Sequence, residues 1–311
     1  MASVYDGFLF FNELDLLEIR FNILSEVVDK FVLVEASRTF SKNEKPFYFE
    51  ENKERYTQFL DKIIHIKIEN YPETKDAWEM EEYQRNQIAL GTKQCLHDDI
   101  ILISDLDEIP NPKTIINYKE SGNGICTLRQ LHFDYYLNYE RCGKNNYWQN
   151  AKILRYGNIA AIATPPQGIR KTKGVKLIKN GGWHFSFLGG IENIKLKIQS
   201  FSHQEYNNDK YVNDQIEYKT RMGLDLFDRN NVRLIPIKVS RKKHPQYIVD
   251  NQEKYSHLIY QHINRYVAIK NRLHCIPYYF IRAIKQFLKK IFPETVIVKL
   301  RGILRNTSPG K

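Results

Sequence analysis

The sequence predicts an α/β protein built on a doubly wound, mostly parallel sheet and closed by a basic helical tail. Three observations carry that expectation. Short apolar runs alternate with stretches of helical periodicity over residues 7–104, and strands separated by helices pair in parallel within one sheet. The fourth apolar run, "DIILIS", leads directly into Asp105-Leu106-Asp107-Glu108, and sheets of this class bind ligands beyond the carboxyl ends of their strands. Residues 276–311 hold eight Lys and Arg against Glu294 alone.

The first element is the strand "GFLFF". Asn12 then stands as an N-cap with Asp15 at the third helical position, ahead of "LDLLEIRFNILSEVV", where Leu16, Leu17, Phe21, Leu24 and Val28 fall near helical spacing. "KFVLVEAS" reads as the second strand and "KIIHIKI" as the third. "AWEMEEYQRNQIALGTKQ" reads as a second long helix, and "DIILIS" as the fourth strand. The expected division is a catalytic-sized domain over 1–275 and a tail over 276–311. In the tail Phe280, Ile284, Phe287 and Ile291 recur at three- and four-residue steps, while Arg282, Lys285 and Lys289 fall on another face.

Composition narrows the function classes. With 311 residues, 42% apolar and 13% aromatic, the chain can bury a large core. The net charge of +11 suggests nucleic acid only until it is located: residues 276–311 carry +7 of it, and the body is not strongly basic. No nucleic-acid partner is therefore expected. Cys95, Cys126, Cys142 and Cys275 form no CxxC pair and read as reduced thiols. "MASVYDGFLFFNELD" has no basic n-region and only a short apolar run, so it reads neither as a signal peptide nor as an anchor. The expected location is cytoplasmic, with the basic amphipathic tail resting on the anionic inner face of a membrane. The competing expectation is that the apolar stripe packs on the body.

Asp105 and Asp107 occupy alternate positions just past a strand end, so in extended geometry both carboxylates point to one side. Two such groups repel unless a cation or proton intervenes, and a divalent Mn²⁺ or Mg²⁺ shared with a substrate diphosphate resolves the conflict. The alternative is a helix N-terminus, with Asp as cap and "EIPNPKT" as a solvated turn. Two other function classes stay open. A phosphotransferase of the haloacid-dehalogenase type would use Asp105 as nucleophile, but it wants the motif near the start of its domain. A non-catalytic basic binding module is suggested by the pI of 9.2.

Three stretches extend the pattern: "FFNELDLLEIRFNILSEVVDKFVLVEAS", "DDIILISDLDEIP" and "GGWHFSF…GIENIKLKIQSFSH". In order and spacing they resemble glycosyltransferase family 17, whose animal members add a bisecting N-acetylglucosamine to N-glycans. The resemblance implies a GT-A-like fold, a UDP-sugar donor such as UDP-N-acetylglucosamine, inversion at the anomeric carbon and a glycan or glycolipid acceptor. It makes Asp105 and Asp107 metal ligands, Asp107 the more direct one; His184 completes the shell or touches the diphosphate, with the late His203 as a reserve ligand. Glu192 matches a Glu of the animal members and is the expected general base, with Glu205 in reserve. Asn12, Glu13 and Glu35 follow the first two strand ends, where a GT-A-like fold receives the nucleoside.

The remaining expectations come from residue type. Gly181-Gly182 permits a close backbone approach to a ligand, and Trp183 offers a flat face to a sugar or base. His184 otherwise reads as a packed, hydrogen-bonded histidine, and Glu192 or Glu13 as a carboxylate in the first turn of a helix. Arg85 lies two turns beyond Trp78 on one helix face, where its forked guanidinium reaches a diphosphate or pairs with Glu81 or Glu82. The run "GIRKTKGVKLIK" reads as a basic loop over the phosphates, or as a merely solvated charge run.

Overall fold

The computed structural model describes residues 2–291 apart from 75, 144–145, 163, 214, 230–231 and 263–264, so the last part of the predicted tail, 292–311, lies outside the described residues. The chain opens with β1 (Val4–Phe10), α1 (Leu14–Leu24) and β2 (Lys30–Ala36). A short α2 (Tyr48–Asn52) and a 3₁₀ segment (Lys53–Lys62) lead into β3 (Ile63–Ile68). Next come α3 (Ala77–Asn86), α4 (Ile88–Gly91), β4 (Ile100–Asp105), β5 (Glu108–Pro110) and α5 (Pro112–Ser121).

The second half begins with β6 (Cys126–Asp134), β7 (Tyr139–Gly143), β8 (Tyr147–Trp148) and β9 (Lys152–Arg155). α6 (Tyr156–Ile162), α7 (Pro166–Lys171), β10 (Lys176–Ser186) and α8 (Gly190–Ser200) follow. The chain finishes with α9 (Gln215–Met222), β11 (Val232–Pro236), α10 (Gln246–Asp250) and the long α11 (Arg265–Ile291).

One mixed sheet organises these elements in the order β11-β7-β6-β9-β4-β1-β2-β3, with β10 on β6 and β5 and with β8 on β6. Among the described residues every ladder of six or more residue pairs is parallel: β1 with β2 and β4, β2 with β3, and β6 with β10. The predicted mostly parallel α/β sheet is thus present, extended by antiparallel pairings of β7, β9 and β11.

The parallel block forms because its strands are buried on both faces, which their continuous apolar runs permit. Alternation splits each strand between two cores. Phe31 and Leu33 of β2 join Ile100 and Leu102 of β4 in the core under α1. Val32 and Val34 join Ile101 and Ile103 in the core under α4. Gly7 and Gly91 allow that second packing: a Cβ on Gly7 would stand 2.5 Å from Ile88, and one on Gly91 2.3 Å from Val32.

Several local expectations are corrected. Asn12 is not the cap of α1; Glu13 holds that position, without a side-chain capping bond. The predicted second long helix is two helices meeting at Gln87, whose N–H closes α3 on Gln84 and Arg85 before Ile88 turns in over Gly7. "EIPNPKT" is not a solvated turn: Glu108–Pro110 is a buried strand, and Asn111 caps α5 with its side chain on the Lys113 N–H. The basic run is not one loop, since Arg170 and Lys171 end α7 while Lys176 and Lys179 begin β10. The tail helix starts earlier than its charge pattern suggests, at Arg265, and its first turns pack on β11 and β7.

Candidate active site

A cavity of about 950 Å³ opens beyond the carboxyl ends of β1 and β4, walled by β6, β10, α3, α7 and α8. Asp105 ends β4, and Asp107 follows two residues later in the turn before β5. Both line the cavity, as alternate positions past a strand end require.

The turn that carries them is held from below by Arg20 of α1, which is fully buried. Its guanidinium donates to both oxygens of Asp6, at 2.9 and 2.6 Å, and to Ser104 Oγ at 2.6 Å. Its Nη1 donates to three main-chain carbonyls of the turn: Asp105 and Leu106 at 2.9 Å and Glu108 at 3.1 Å. Glu108 Oε2 in turn accepts the Asp105 N–H at 3.0 Å. Backbone and side chain thus fix the two carboxylates before any ligand arrives.

Each aspartate is matched by cations from distant segments. Asp105 receives Arg85 on one oxygen and Arg170 on the other, the latter at 2.5 Å. Burial would raise the Asp105 carboxyl, but Arg170 and Arg85 hold it below the usual carboxylate range. Asp107 Oδ2 lies 2.9 Å from Lys197 Nζ of α8, and Oδ1 stands 3.4 Å from His184 Nε2 of β10. Burial opposes ionisation here too, and Lys197 and His184 overcome it, holding Asp107 far down and raising the Lys197 ammonium.

Deeper in the cavity a polar cluster lies on adjacent strands. The parallel register of β6 and β10 sets His132 beside His184 and Asp134 beside Ser186. The two imidazoles are 4.5 Å apart, and the Trp148 ring stacks on His184 at 4.4 Å and 17°. His132 Nε2 stands 3.3 Å from Asp134 Oδ1, while Arg141 holds Asp134 at 2.6 Å. Burial pushes the His132 imidazole down to about 3, so it is neutral at ordinary pH. Ten Lys and Arg line the cavity against five Asp and Glu among the described residues, so its lining carries an excess of positive charge.

The predicted site residues fall into two groups. Glu13, Arg85, Asp105, Asp107, His184 and His203 all line the cavity. The Arg85 guanidinium takes the ion-pair alternative, reaching Glu81 at 2.6 Å as well as Asp105. His203 lines the mouth instead of joining the aspartates: its Nδ1 is 2.6 Å from Glu205, and its ring meets Trp78 edge-on at 4.5 Å. Asn12 lines a smaller neighbouring cavity of about 260 Å³, which also touches Glu13 and Lys197.

The others are not brought to the cavity. Glu35 is fully buried as a structural acceptor for the Phe49 N–H, Lys45 and His65. Trp183 points to the opposite face of β10 from His184, into the main core, with Nε1 donating to the Lys243 carbonyl at 2.8 Å. The flat face in the cavity is Trp148 instead. Gly182 does serve a close approach, but to the strand β5: a Cβ there would sit 2.1 Å from the Ile109 carbonyl oxygen. Glu192 projects from α8 with 85% of its side chain exposed, paired with Lys195 at 3.1 Å. Glu205 is 56% exposed and engaged with His203.

Sequence reasoning missed His132, Asp134, Arg141, Trp148 and Lys197. "HFD" at 132–134 repeats the alternate spacing of the Asp105–Asp107 pair at the end of a strand, and that signal was available. Lys197 sits in a helix whose basic residues look alike in sequence.

Among the described residues no group of three or more His, Cys, Asp and Glu side chains is arranged to enclose a metal ion. The donor chemistry nevertheless suits a shared one. Asp107 Oδ1 and His184 Nε2 stand 3.4 Å apart, a pair that could bind one cation together, with an incoming diphosphate supplying further oxygens, while Asp107 Oδ2 is held by Lys197. Asp105 is less available, since both of its oxygens are bound by guanidinium groups.

Comparison with known proteins places the chain in a family. Relatives described as beta-1,4-mannosyl-glycoprotein 4-beta-N-acetylglucosaminyltransferase from Homo sapiens and Rattus norvegicus are 23% identical to the chain. Each alignment covers 80% of this chain and 53% of the relative, so the chain spans about half the length of the curated relatives it matches. The Mus musculus protein of the same description is also 23% identical. A solved structure, 4-diphosphocytidyl-2C-methyl-D-erythritol synthase, aligns over 73% of this chain and 99% of its own at 12% identity, with a TM-score of 0.33 that is too low to support an argument. The model of glycosyltransferase family 17 matches residues 1–266, which include every strand of the described sheet and every described residue of the cavity, and the chain belongs to that family.

Proposed function

We propose that the chain transfers a sugar, N-acetylglucosamine from UDP-N-acetylglucosamine, to a hydroxyl of a glycan or glycolipid, with inversion at the anomeric carbon. The observation that carries this reading is the placement of Asp105 and Asp107 in a cavity whose wall is predominantly cationic, in a chain of this family. A diphosphate entering the cavity finds Arg85, Arg170 and Lys197 already desolvated and oriented, so their charge acts on the leaving group with little reorganisation. Trp148 offers a ring face for the sugar or the base.

Asp107 and His184 would hold Mn²⁺ or Mg²⁺, which as a Lewis acid would neutralise charge on the departing nucleotide. Inverting transfer is a single in-line displacement, and the acceptor proton must pass to a base. Glu81, Asp105, Asp107 and Asp134 are each held by a cation at 2.9 Å or less. Among the described residues Glu13 has no cation nearer than Lys197, at 3.8 Å; it accepts the Asn12 N–H at 3.2 Å and lines both cavities. That makes Glu13 the cavity carboxylate best placed to accept the proton, in preference to the exposed Glu192 and Glu205.

The test is calorimetric titration of the purified protein with UDP, with Mn²⁺ and then with excess chelator, using GDP and CDP as controls. Binding of UDP that weakens strongly in chelator supports the reading, and release of labelled sugar onto an acceptor completes it. Absence of nucleotide binding in every condition would overturn it.

A further inference from the structure

α11 presents two opposed faces. On one, Val267, Asn271 and Cys275 are buried. Asn271 Nδ2 donates to the carbonyls of Leu234 at 2.9 Å and Met222 at 3.0 Å, and the Gly143 N–H donates to Tyr279 Oη at 2.9 Å, so this face is fastened to β11 and β7. On the other face Ile269, Leu273, Ile276, Phe280, Ile284 and Phe287 are between 43% and 66% exposed. At 3.6 residues per turn the two sets point roughly 180° apart. The exposed stripe therefore contributes nothing to the core and continues for the length of the helix.

Its charge says what covers it. Exposed Arg265 and Arg272 border the stripe on one side and Lys270 on the other, and no Asp or Glu occurs between residues 265 and 291. Residues 265–311 contain eleven Lys and Arg against Glu294, and so carry ten of the chain's eleven net positive charges. A second copy of this helix would set like charges against like charges along both borders of the contact, with no acid to relieve them. An anionic bilayer surface matches both features: the apolar stripe enters the acyl boundary while the flanking cations reach lipid phosphates. No helix among the described residues is long and apolar enough to cross a membrane, so the contact lies in the plane of the surface.

We infer that α11 docks the protein on anionic lipid through Ile269, Leu273, Ile276, Phe280, Ile284 and Phe287, with Arg265, Lys270 and Arg272 binding headgroups. This inference is independent of the transfer reaction. The test is co-sedimentation of the full chain with vesicles of phosphatidylcholine alone and of phosphatidylcholine containing one third phosphatidylglycerol. Binding to the anionic vesicles should exceed binding to the neutral ones at least about tenfold and fall as salt is raised. The variant Leu273→Ser/Phe280→Ser/Phe287→Ser changes only exposed side chains, so UDP binding should be retained while vesicle binding drops by a similar factor. Lys270→Gln/Arg272→Gln should weaken anionic binding and leave neutral binding unchanged. Equal sedimentation of the serine variant and the parent, or a parent that stays in the supernatant and instead forms dimers, would overturn the inference.

Discussion

Replacing Arg20 with Met tests the foundation of the site. The thioether keeps the apolar stem of the side chain and removes every donor. Asp6, with no exposed surface, loses its partner, and the carbonyls of Asp105, Leu106 and Glu108 lose a donor together. Removing one member of a buried ion pair costs about 3–5 kcal/mol. Each orphaned carbonyl adds about 1 kcal/mol or more. These terms overlap, because water can enter the gap and serve several of the freed groups at once. The expected loss is therefore about 4 kcal/mol, on the order of a thousandfold in the ratio of folded to unfolded protein. Urea unfolding followed by tryptophan fluorescence and far-ultraviolet circular dichroism measures it. Arg20→Met/Asp6→Leu removes both charges and should recover a large part of the loss, since an apolar replacement of a buried pair is close to neutral. A loss below about 1 kcal/mol for the single variant would show that the turn is held by something other than this guanidinium.

Four further outcomes are expected. Asp107→Ala should abolish sugar transfer and the metal-dependent part of UDP binding, read by calorimetry, and should also lower the unfolding midpoint, because Lys197 is left without its buried partner. Glu13→Gln should lose transfer yet keep UDP affinity within a few-fold, whereas Glu192→Gln should turn over normally; the reverse pattern would return the base to α8. His132 and His244, pushed by burial to about 3 and about 4, stay neutral in the folded chain while the unfolded chain takes up protons below about 6.5. Thermal stability should therefore be full above pH 7 and fall from about pH 6.5 towards 4, with a further fall below about 4 as Asp107 and Asp134 lose their ion pairs; His132→Gln should flatten the upper part of that slope, and an unchanged slope would refute its burial as a neutral imidazole. Among the three tryptophans, Trp78 and Trp148 line the cavity and Trp183 does not, so UDP should change the fluorescence of Trp183→Phe as it does the parent's and change that of Trp148→Phe much less.

The legible part of this protein is the part in which neighbours in sequence share one environment. β2 and β4 are buried on both faces, so their apolar runs are continuous and the strands can be read directly. Asp105 and Asp107 are legible for the same reason, since a strand end and two alternating carboxylates are all local. Their cations are not: Arg85, Arg170 and Lys197 come from three separate helices, and nothing in "GIRK" shows that Arg170 is buried against Asp105 and Glu108 while Lys171 stays outside. Glu192 shows the same limit from the other direction. Ile194 and Ile198 are the buried apolar positions of α8, and a residue two places before Ile194 falls on the opposite face. Trp183 and His184 differ by one residue, and strand alternation sends the expected aromatic into the core and the histidine into the cavity.

The helix that carries the lipid-facing stripe also brings Cys275 to the sheet, where its sulfur lies 2.9 Å from that of Cys142, 133 positions earlier in the chain. Both thiols are free and buried. Exchange with an external disulfide, itself reduced to two thiols, would join them and close a loop of that length, a constraint worth about 5 kcal/mol against the unfolded chain. A reducing compartment would leave them apart. Electrophoresis of the alkylated, denatured protein with and without reductant would tell the two forms apart: the bridged chain should run as the more compact band, and equal mobility would mean both thiols are free.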